Sequence, residues 1–319
     1  MSSDIDVVVC EVGLRDGLQM FEQLFPTDQK IEWIRAEFAA GVREIEVTSF
    51  VPPKLVPQFV DSQEVTEAAV AMPGLRVSAF VPNLKGAERA IALGVHRLNC
   101  GVSVSRTHNL KNLRREREET IADVARIAEL IRQQPQATRP SLVGGLSSAL
   151  GCGFEGAIPV DDVVRFAVAM AQAGVDELMI ADTVGYADPA LVRKAFRAVR
   201  AEVGNLPISA HFHDTRGLGL ANVDAALECG VRRFDASLAG LGGCQFAHGA
   251  TGNIVMDDLC FMLDAMGMRT GVDLEALVRV REIVARNLPG TPLYGGLARS
   301  GLPRNYTPLA RRGQAVPAA

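Results

Sequence analysis

The feature of this sequence that most restricts its fold is an alternation of short Val/Ile-rich runs with helical patterns, repeated eight times almost to the end of the chain. Repeated strand and helix units are typical of a parallel sheet covered by helices. Several helical segments end in Ala-Gly-Val, Leu-Gly-Val or Cys-Gly-Val, where a glycine stops the helix just before the next strand. The predicted strands are residues 5–10, 44–49, 76–80, 97–102, 141–147, 177–182, 208–213 and 232–238.

Eight such units in 319 residues favour a closed barrel over an open doubly wound sheet, and no G-x-G-x-x-G motif follows the first strand. We therefore predict an α/β fold, a (β/α)8 TIM barrel, as a single catalytic domain over residues 1–288. An additional C-terminal helix is expected at about 273–286. Residues 289–319, rich in Gly, Pro and Arg, are predicted to be a tail that is loose or forms a subunit contact.

The composition excludes several classes of protein. A formal net charge of −4 gives no basic surface for nucleic acid, so we expect no nucleic-acid partner. The sequence holds no apolar run long enough to cross a membrane, and its first residues do not have the pattern of a signal peptide, so the predicted location is cytoplasmic. The six cysteines contain no C-x-x-C pair, which argues against a disulfide framework or a zinc knuckle.

The chemistry of such a barrel lies where strands end, and the first predicted strand leads into E-V-G-L-R-D-G-L-Q at residues 11–19. In this cluster Asp16 could hold a metal ion, while the guanidinium of Arg15 could neutralise charge that develops on a substrate oxygen. The alternative is structural, with a helix-capping Asp16 and a surface Arg15.

The seventh predicted strand ends in A-H-F-H-D-T. Because alternate residues of a strand point to one face, His211 and His213 are expected to project together at the barrel mouth. Two imidazoles on one side form half of a metal site, whereas a single buried histidine is usually a satisfied core residue. This spacing therefore favours metal ligation.

A glycine-rich segment, residues 239–253, follows the eighth predicted strand. Its glycine content indicates a loop that moves or that another group approaches closely. A phosphate cradle is one interpretation, because barrels often bind phosphate near the seventh and eighth loops. That interpretation leaves Cys244 in the middle of the loop unexplained. Its thiol could act as an acid or base if the loop closes over the substrate.

Together these clusters resemble the 3-hydroxy-3-methylglutaryl-CoA lyase family, within the larger superfamily of metal-dependent lyases and synthases that share an R-D-x-x-Q opening on this barrel. The resemblance extends from about Val7 to Met268. Its most specific parts are E-V-G-L-R-D-G-L-Q, I-E-V-T-S-F-V-P-P-K-L-V-P-Q, H-F-H-D-T and G-L-G-G-C-x-x-A-x-G-A-T-G-N, in the expected order and at the expected strand ends.

The resemblance implies a divalent cation, usually Mg²⁺ or Mn²⁺, as the cofactor. Two histidines would also accept cobalt, nickel or zinc. The implied metal ligands are Asp16, His211, His213 and Asn253.

The resemblance also implies catalytic roles. Arg15 would stabilise the enolate oxygen of departing acetyl-CoA, Cys244 would be the lid residue that takes part in proton transfer, and Glu46 would lie in the active site. Asp182 is similar to a further active-site carboxylate of the family, with a structural hydrogen-bonding role as the alternative. The base that removes the substrate's hydroxyl proton is either Asp16 or His211.

The implied reaction is a metal-assisted retro-Claisen cleavage of a 3-hydroxy-3-methylglutaryl-CoA-like thioester to acetyl-CoA and a keto acid, acetoacetate. The implied partners are the acyl-CoA substrate and a second copy of the chain in a homodimer. Residues 105–112 could bind the phosphates of coenzyme A, or could simply form a solvated start of a helix.

Two departures from the family leave the substrate open. Residues 19–22 read Gln-Met-Phe-Glu where Gln-Asn-Glu is common, and Arg216 replaces the usual Tyr after H-x-H-D-T. Citramalyl-CoA or another 3-hydroxyacyl-CoA is therefore an alternative substrate. A Claisen-type synthase of the isopropylmalate or homocitrate kind is a rival, although such enzymes generally carry an added C-terminal region. A 4-hydroxy-2-oxovalerate-type aldolase and a non-catalytic barrel scaffold fit the motifs less well.

Overall fold

The structure is a computed structural model that describes residues 5–243 and 252–309. Eight parallel strands form a closed barrel in which each strand pairs with its neighbours in chain order and the first pairs with the eighth, so the predicted TIM barrel is confirmed. The strands are β1 Val8–Glu11, β2 Glu44–Ser49, β3 Arg76–Phe80, β4 Arg97–Ser103, β5 Ser141–Ser147, β6 Glu177–Asp182, β7 Ile208–Phe212 and β8 Arg233–Ala236.

Helices surround this barrel and bury their apolar faces against it. The first helix illustrates the packing, since Trp33 and Ile34 are buried while Glu32 and Arg35 face outward. The helices of the described residues are α1 Thr27–Ala39, α2 Ser62–Val70, α3 Leu84–Ala92, α4 Arg106–Leu113, α5 Arg117–Arg132, α6 Val160–Gln172, α7 Pro189–Val203, α8 Gly219–Glu228, α9 Met256–Ala265, α10 Leu274–Asn287 and α11 Gly296–Ser300.

The end of the barrel where the strands begin is filled by a closed ring of four charged side chains, one from each even-numbered strand. The two guanidinium nitrogens Nη1 and Nη2 of Arg97 each lie 2.7 Å from an oxygen of Glu177, and its Nε lies 3.2 Å from Glu44. Arg233 completes the ring by pairing with Glu44 and with Glu177. We call these four residues the floor ring.

Moving two residues along the same strands leads to the next interior level, because alternate residues share a face. This level contains Glu46 on β2, Asn99 on β4 and Asp235 on β8, all buried. Asn99 donates to Glu46 Oε1 at 2.7 Å and to Ser78 Oγ at 2.9 Å. Polar side chains from three of the four even-numbered strands thus lie between the floor ring and the ends of the strands.

The expected C-terminal helix is present as α10, and the segment after it contains the short helix α11. Asp258 on α9 accepts the backbone N–H groups of Gly296 and Leu297, and Asp264 accepts the Tyr306 hydroxyl. The division of the chain at residue 288 stays a prediction. Among the described residues, the structure contains no helix with the length and apolar character needed to span a membrane.

Candidate metal centre

The loop after β1 places Asp16 at the mouth of the barrel. Residues Gly13–Gly17 form a π-helical turn in which the N–H groups of Arg15, Asp16 and Gly17 all point to the carbonyl of Val12. Glu11 fixes the start of this turn by accepting the Gly13 N–H. A Cβ at position 13 would collide with Glu11 Oε1 and Ser237 Oγ, so the tight turn requires glycine.

His211 and His213 project to the same side from the end of β7, as predicted. Their Nε2 atoms lie 3.0 Å apart. Oδ2 of Asp16 lies 3.6 Å from His213 Nε2 and 4.0 Å from His211 Nε2. All three residues are buried, and one ligand atom from each lies within 4.8 Å of the others. The structure therefore brings together three of the four predicted metal ligands in a possible metal site.

Asn253 adds the fourth predicted ligand to the same place. Residue 253 forms an isolated bridge with His213, and its Nδ2 lies 2.9 Å from Asp16 Oδ2. Its Oδ1 is buried and has no hydrogen-bond partner among the described residues. Gly242 has a φ of +125° and lies so close that a Cβ there would meet Asn253 Nδ2 at 2.6 Å. Close approach thus explains glycine at this root of the glycine-rich segment.

The donor set fits a divalent cation. Two adjacent ligands of an octahedral ion bound at about 2.1 Å lie roughly 3.0 Å apart, which matches the separation of the two imidazole nitrogens. Two histidines and one carboxylate with open positions beside them form a recurrent site for divalent metals. The unpartnered oxygen of Asn253 is a further donor that a cation would satisfy.

The charges around the site keep Asp16 ionised. Burial alone would raise the pKa of Asp16, but the hydrogen bond from His213 and the charge of Arg15 hold the pKa well below its usual range. Burial would lower the pKa of His211, but Asp235 and Asp16 raise it above its usual value. A cation binds to an ionised carboxylate and to ring nitrogens that carry no proton. Asp16 already has the required charge, and a bound cation would displace the proton that the raised pKa favours on His211.

The family model described as HMGL-like matches residues 6–284. This chain belongs to the HMGL-like family. The resemblance found from the sequence motifs is therefore confirmed.

Two curated relatives of this HMGL-like chain and one solved structure similar to it are named as lyases. It is 36% identical to the hydroxymethylglutaryl-CoA lyase of Bacillus subtilis over 90% of this chain and 94% of that protein. It is 38% identical to the mitochondrial hydroxymethylglutaryl-CoA lyase of Mus musculus over 88% and 86%. A solved HMG-CoA lyase from Acinetobacter baumannii, in complex with coenzyme A and 3-methylmalate, is similar with a TM-score of 0.87 and 38% identity, over 97% of this chain and 99% of that chain.

Arg15 of this HMGL-like chain is held beside the predicted metal ligands by three contacts. Its Nη1 lies 2.6 Å from Asp16 Oδ1, and its Nε forms an ion pair with Glu46 Oε2 at 3.2 Å. Its guanidinium also lies over the ring of Phe80, 4.4 Å from the centroid. The structural alternative of a surface Arg15 and a capping Asp16 does not describe this buried arrangement. Glu46, which was predicted to lie in the active site, is connected to the candidate metal centre by its ion pair with Arg15.

Asp182 lies at the end of β6 and uses both carboxylate oxygens to fix the following turn. Oδ1 accepts the Tyr186 N–H at 2.9 Å and Oδ2 accepts the Ala187 N–H at 3.0 Å. Burial raises the pKa of Asp182 despite these hydrogen bonds. The contacts favour the structural alternative given for this residue.

The segment proposed for coenzyme A phosphates forms the start of α4. Ser105 caps the helix by accepting the His108 N–H at 3.1 Å, and Asn109 is fully buried. Arg106 is paired with Glu116. These contacts favour the interpretation as a helix start. Cys244, the predicted lid residue, lies outside the described residues.

Two buried residues near the site were missed from the sequence. Asn99 supports Glu46 and so the position of Arg15. Asp235 Oδ2 lies 3.1 Å from His211 Nδ1. The available signal was the strand period, since Asp235 follows Arg233 by two residues on β8 and must share its interior face. The identity of its partner depends on how β7 and β8 pair, which the sequence does not reveal.

Proposed function

We propose that this protein is a hydroxymethylglutaryl-CoA lyase that cleaves 3-hydroxy-3-methylglutaryl-CoA to acetyl-CoA and acetoacetate. The observation that carries the proposal is the convergence of Asp16, His211, His213 and Asn253 at one mouth of the barrel. The names of its relatives support the reaction, and the coenzyme A complex of the Acinetobacter baumannii relative supports an acyl-CoA substrate.

The proposed cofactor is Mg²⁺ or Mn²⁺, held by Asp16, His211, His213 and the side-chain oxygen of Asn253. Such an ion supplies Lewis acidity that lowers the pKa of the substrate's tertiary hydroxyl. Asp16 or His211 is the proposed general base for the hydroxyl proton. Asp16 can accept a proton while it holds a cation, because a carboxylate has further oxygen lone pairs, whereas His211 could do so only when its Nε2 does not bind the cation.

Arg15 is the proposed stabiliser of the enolate oxygen that forms when the carbon–carbon bond breaks. A guanidinium fixed by Asp16, Glu46 and Phe80 needs little reorganisation as that charge develops. We propose that Cys244 then delivers a proton to the enolate carbon when the glycine-rich segment closes and excludes water.

The sequence leaves the acyl group of the substrate open, because two positions differ from the family pattern. The structure gives the residues near these two positions definite contacts. Gln19 donates to Asp16 Oδ1 at 2.9 Å, so it supports a metal ligand. Arg216 donates to the carbonyls of Val184 and Gly185 and lies over Tyr186. Because these hydrogen bonds use only Nη1 of the guanidinium, its other nitrogens could meet the free carboxylate of the acyl group. Citramalyl-CoA, which carries one free carboxylate as 3-hydroxy-3-methylglutaryl-CoA does, is the second candidate.

The proposal is tested by a coupled assay for acetyl-CoA release from a panel of 3-hydroxyacyl-CoA esters with added Mg²⁺ or Mn²⁺. We expect the highest kcat/KM with 3-hydroxy-3-methylglutaryl-CoA. Higher activity with citramalyl-CoA would select the second candidate, and net condensation of acetyl-CoA with a keto acid would indicate a synthase. A folded, metal-loaded protein that cleaves none of the esters would contradict the lyase proposal. A cytoplasmic homodimer is part of the same proposal.

A further inference from the structure

We propose that Asp235 is a positioning residue that holds His211 in the tautomer with its proton on Nδ1, so that the Nε2 lone pair faces the other metal ligands. The inference rests on the metal centre of the proposed function. It concerns a residue that contacts neither substrate nor cation in that proposal and acts through His211.

The barrel itself brings the two side chains together. Residues 211 and 235 are register partners on the adjacent strands β7 and β8. Both side chains are about 10% exposed, and Asp235 Oδ2 lies 3.1 Å from His211 Nδ1. Neither group needs a loop movement to reach the other, so the contact is part of the barrel wall.

The direction of the hydrogen bond follows from the chemistry of the two groups. An ionised carboxylate only accepts, so Nδ1 of His211 must donate and carry the ring proton. In the neutral ring this leaves Nε2 with a lone pair. Nε2 is the atom that lies 3.0 Å from His213 Nε2 and 4.0 Å from Asp16 Oδ2. Asp235 therefore presents the correct nitrogen to the place where the cation is proposed.

A carboxylate behind a metal-binding histidine also makes the imidazole a stronger donor, and loss of such a partner typically lowers metal affinity by about 10- to 100-fold. Asp214 offers a matched comparison. It lies next to His213 in sequence, but its carboxylate accepts the Gly219 N–H at 2.7 Å and no contact to His211 is present in the described structure.

The tautomer is tested in the metal-free full-length protein by ¹⁵N NMR of its five histidines at alkaline pH, where the imidazoles are neutral. We expect the His211 signals, assigned by their loss in a His211→Gln variant, to show a protonated Nδ1. In Asp235→Ala they should shift toward the Nε2-protonated form, while Asp214→Asn leaves them unchanged. A wild-type His211 with its proton on Nε2 would overturn the inference.

The consequence for the cation is tested by Mn²⁺ titration of the same variants, followed by EPR of free Mn²⁺. Asp235→Asn, which preserves size and removes the charge, should weaken binding by about 10- to 100-fold with an unchanged circular dichroism spectrum. Asp214→Asn should bind like the wild type. Wild-type affinity in a folded Asp235→Asn variant would refute the positioning role. If wild-type protein binds no Mn²⁺, the proposed function fails, and the NMR result alone then decides the role of Asp235.

Discussion

Arg15 illustrates how much of the candidate site depends on a single side chain. Its guanidinium contacts a proposed metal ligand, a buried glutamate and an aromatic ring at the same time. Burial would lower the pKa of Arg15, but the charges of Glu46 and Asp16 raise it, so the side chain stays cationic. A lysine could not make these contacts together, because it lacks the planar fork of donors.

Replacing Arg15 by glutamine should lower kcat by about 10²- to 10³-fold, the usual effect of removing one donor to a developing oxyanion. Arg43→Gln is the matched control, since Arg43 also lies over a phenylalanine, Phe38, at 4.6 Å, but precedes β2 at the other end of the barrel. Steady-state kinetics with Mn²⁺ would compare the two. Equal effects of both changes would indicate loss of stability and not of catalysis.

At the scale of elements, the strand pattern predicted the fold well and the contacts between strands poorly. The predicted bounds of β2, β3, β5 and β6 agree with the structure. β1 begins at Val8, later than expected, because the N–H groups of Asp6 and Val7 bond to Arg269. β8 ends at Ala236 because the Leu238 N–H turns to Glu11 Oε2.

The candidate site shows the same difference, since local patterns predicted some of its residues but not the contacts between strands. Asp16, His211 and His213 could be predicted because strand ends and the two-residue period place them at one mouth. The partnership of His211 with Asp235 depends on the pairing of two strands, and that of Asn99 with Glu46 spans the barrel interior. Such contacts follow from the assembled barrel and leave no local pattern in the chain.

A pair of buried carboxyl groups, Glu11 and Glu37, links β1, the turn after β8 and helix α1. Glu11 at the end of β1 accepts the N–H groups of Gly13 and Leu238, and its carboxyl interacts electrostatically with that of Glu37 on α1. Trp33 donates to Glu37 Oε1 at 2.7 Å, and Glu37 Oε2 has no donor among the described residues. A proton held between the two carboxyl groups supplies that donor. Burial raises the pKa of Glu11 to about 7 and that of Glu37 well above its ordinary range.

This pair should make stability depend on pH. Because the folded-state pKa of Glu11 is raised from 4.5 to about 7, the pair's contribution is fully present below pH 4.5 and is lost as the pH rises through about 7. Glu37→Gln should reduce the fall in melting temperature between pH 5 and pH 8. In the wild type, we expect the fluorescence of Trp33, the single tryptophan of the chain, to change over this pH range, because its ring N–H bonds Glu37. The Glu37→Gln variant should lose this change. Glu32→Gln, at an exposed position of α1, serves as control, and an unaltered pH profile in Glu37→Gln would argue against proton sharing.

At the scale of the whole molecule, the candidate metal centre joins parts of the chain that are far apart in sequence. Asp16 follows the first strand, His211 and His213 end or follow the seventh, and Asn253 precedes α9. An ion bound by all four would therefore stabilise the closed barrel as a unit, because the unfolded chain does not hold these groups together.

Mn²⁺ at one hundred times its dissociation constant should stabilise the folded protein by about 2.7 kcal/mol. Differential scanning calorimetry should show this as a higher melting temperature that EDTA reverses. His213→Ala should abolish the rise, whereas His96→Ala, at an exposed position before β4, should retain it. A rise of equal size in His213→Ala would place the stabilising ion elsewhere.

The floor ring determines at which end small molecules can enter and leave the barrel. Its interlocked arginine and glutamate side chains fill the barrel where the strands begin, so that end offers no passage to a small molecule. Substrate arrival and the exit of both fragments must share one opening, at the far end where the strands end and the candidate metal centre lies. The fragment that lies deeper must therefore wait for the shallower one, and departure from the barrel has a built-in order.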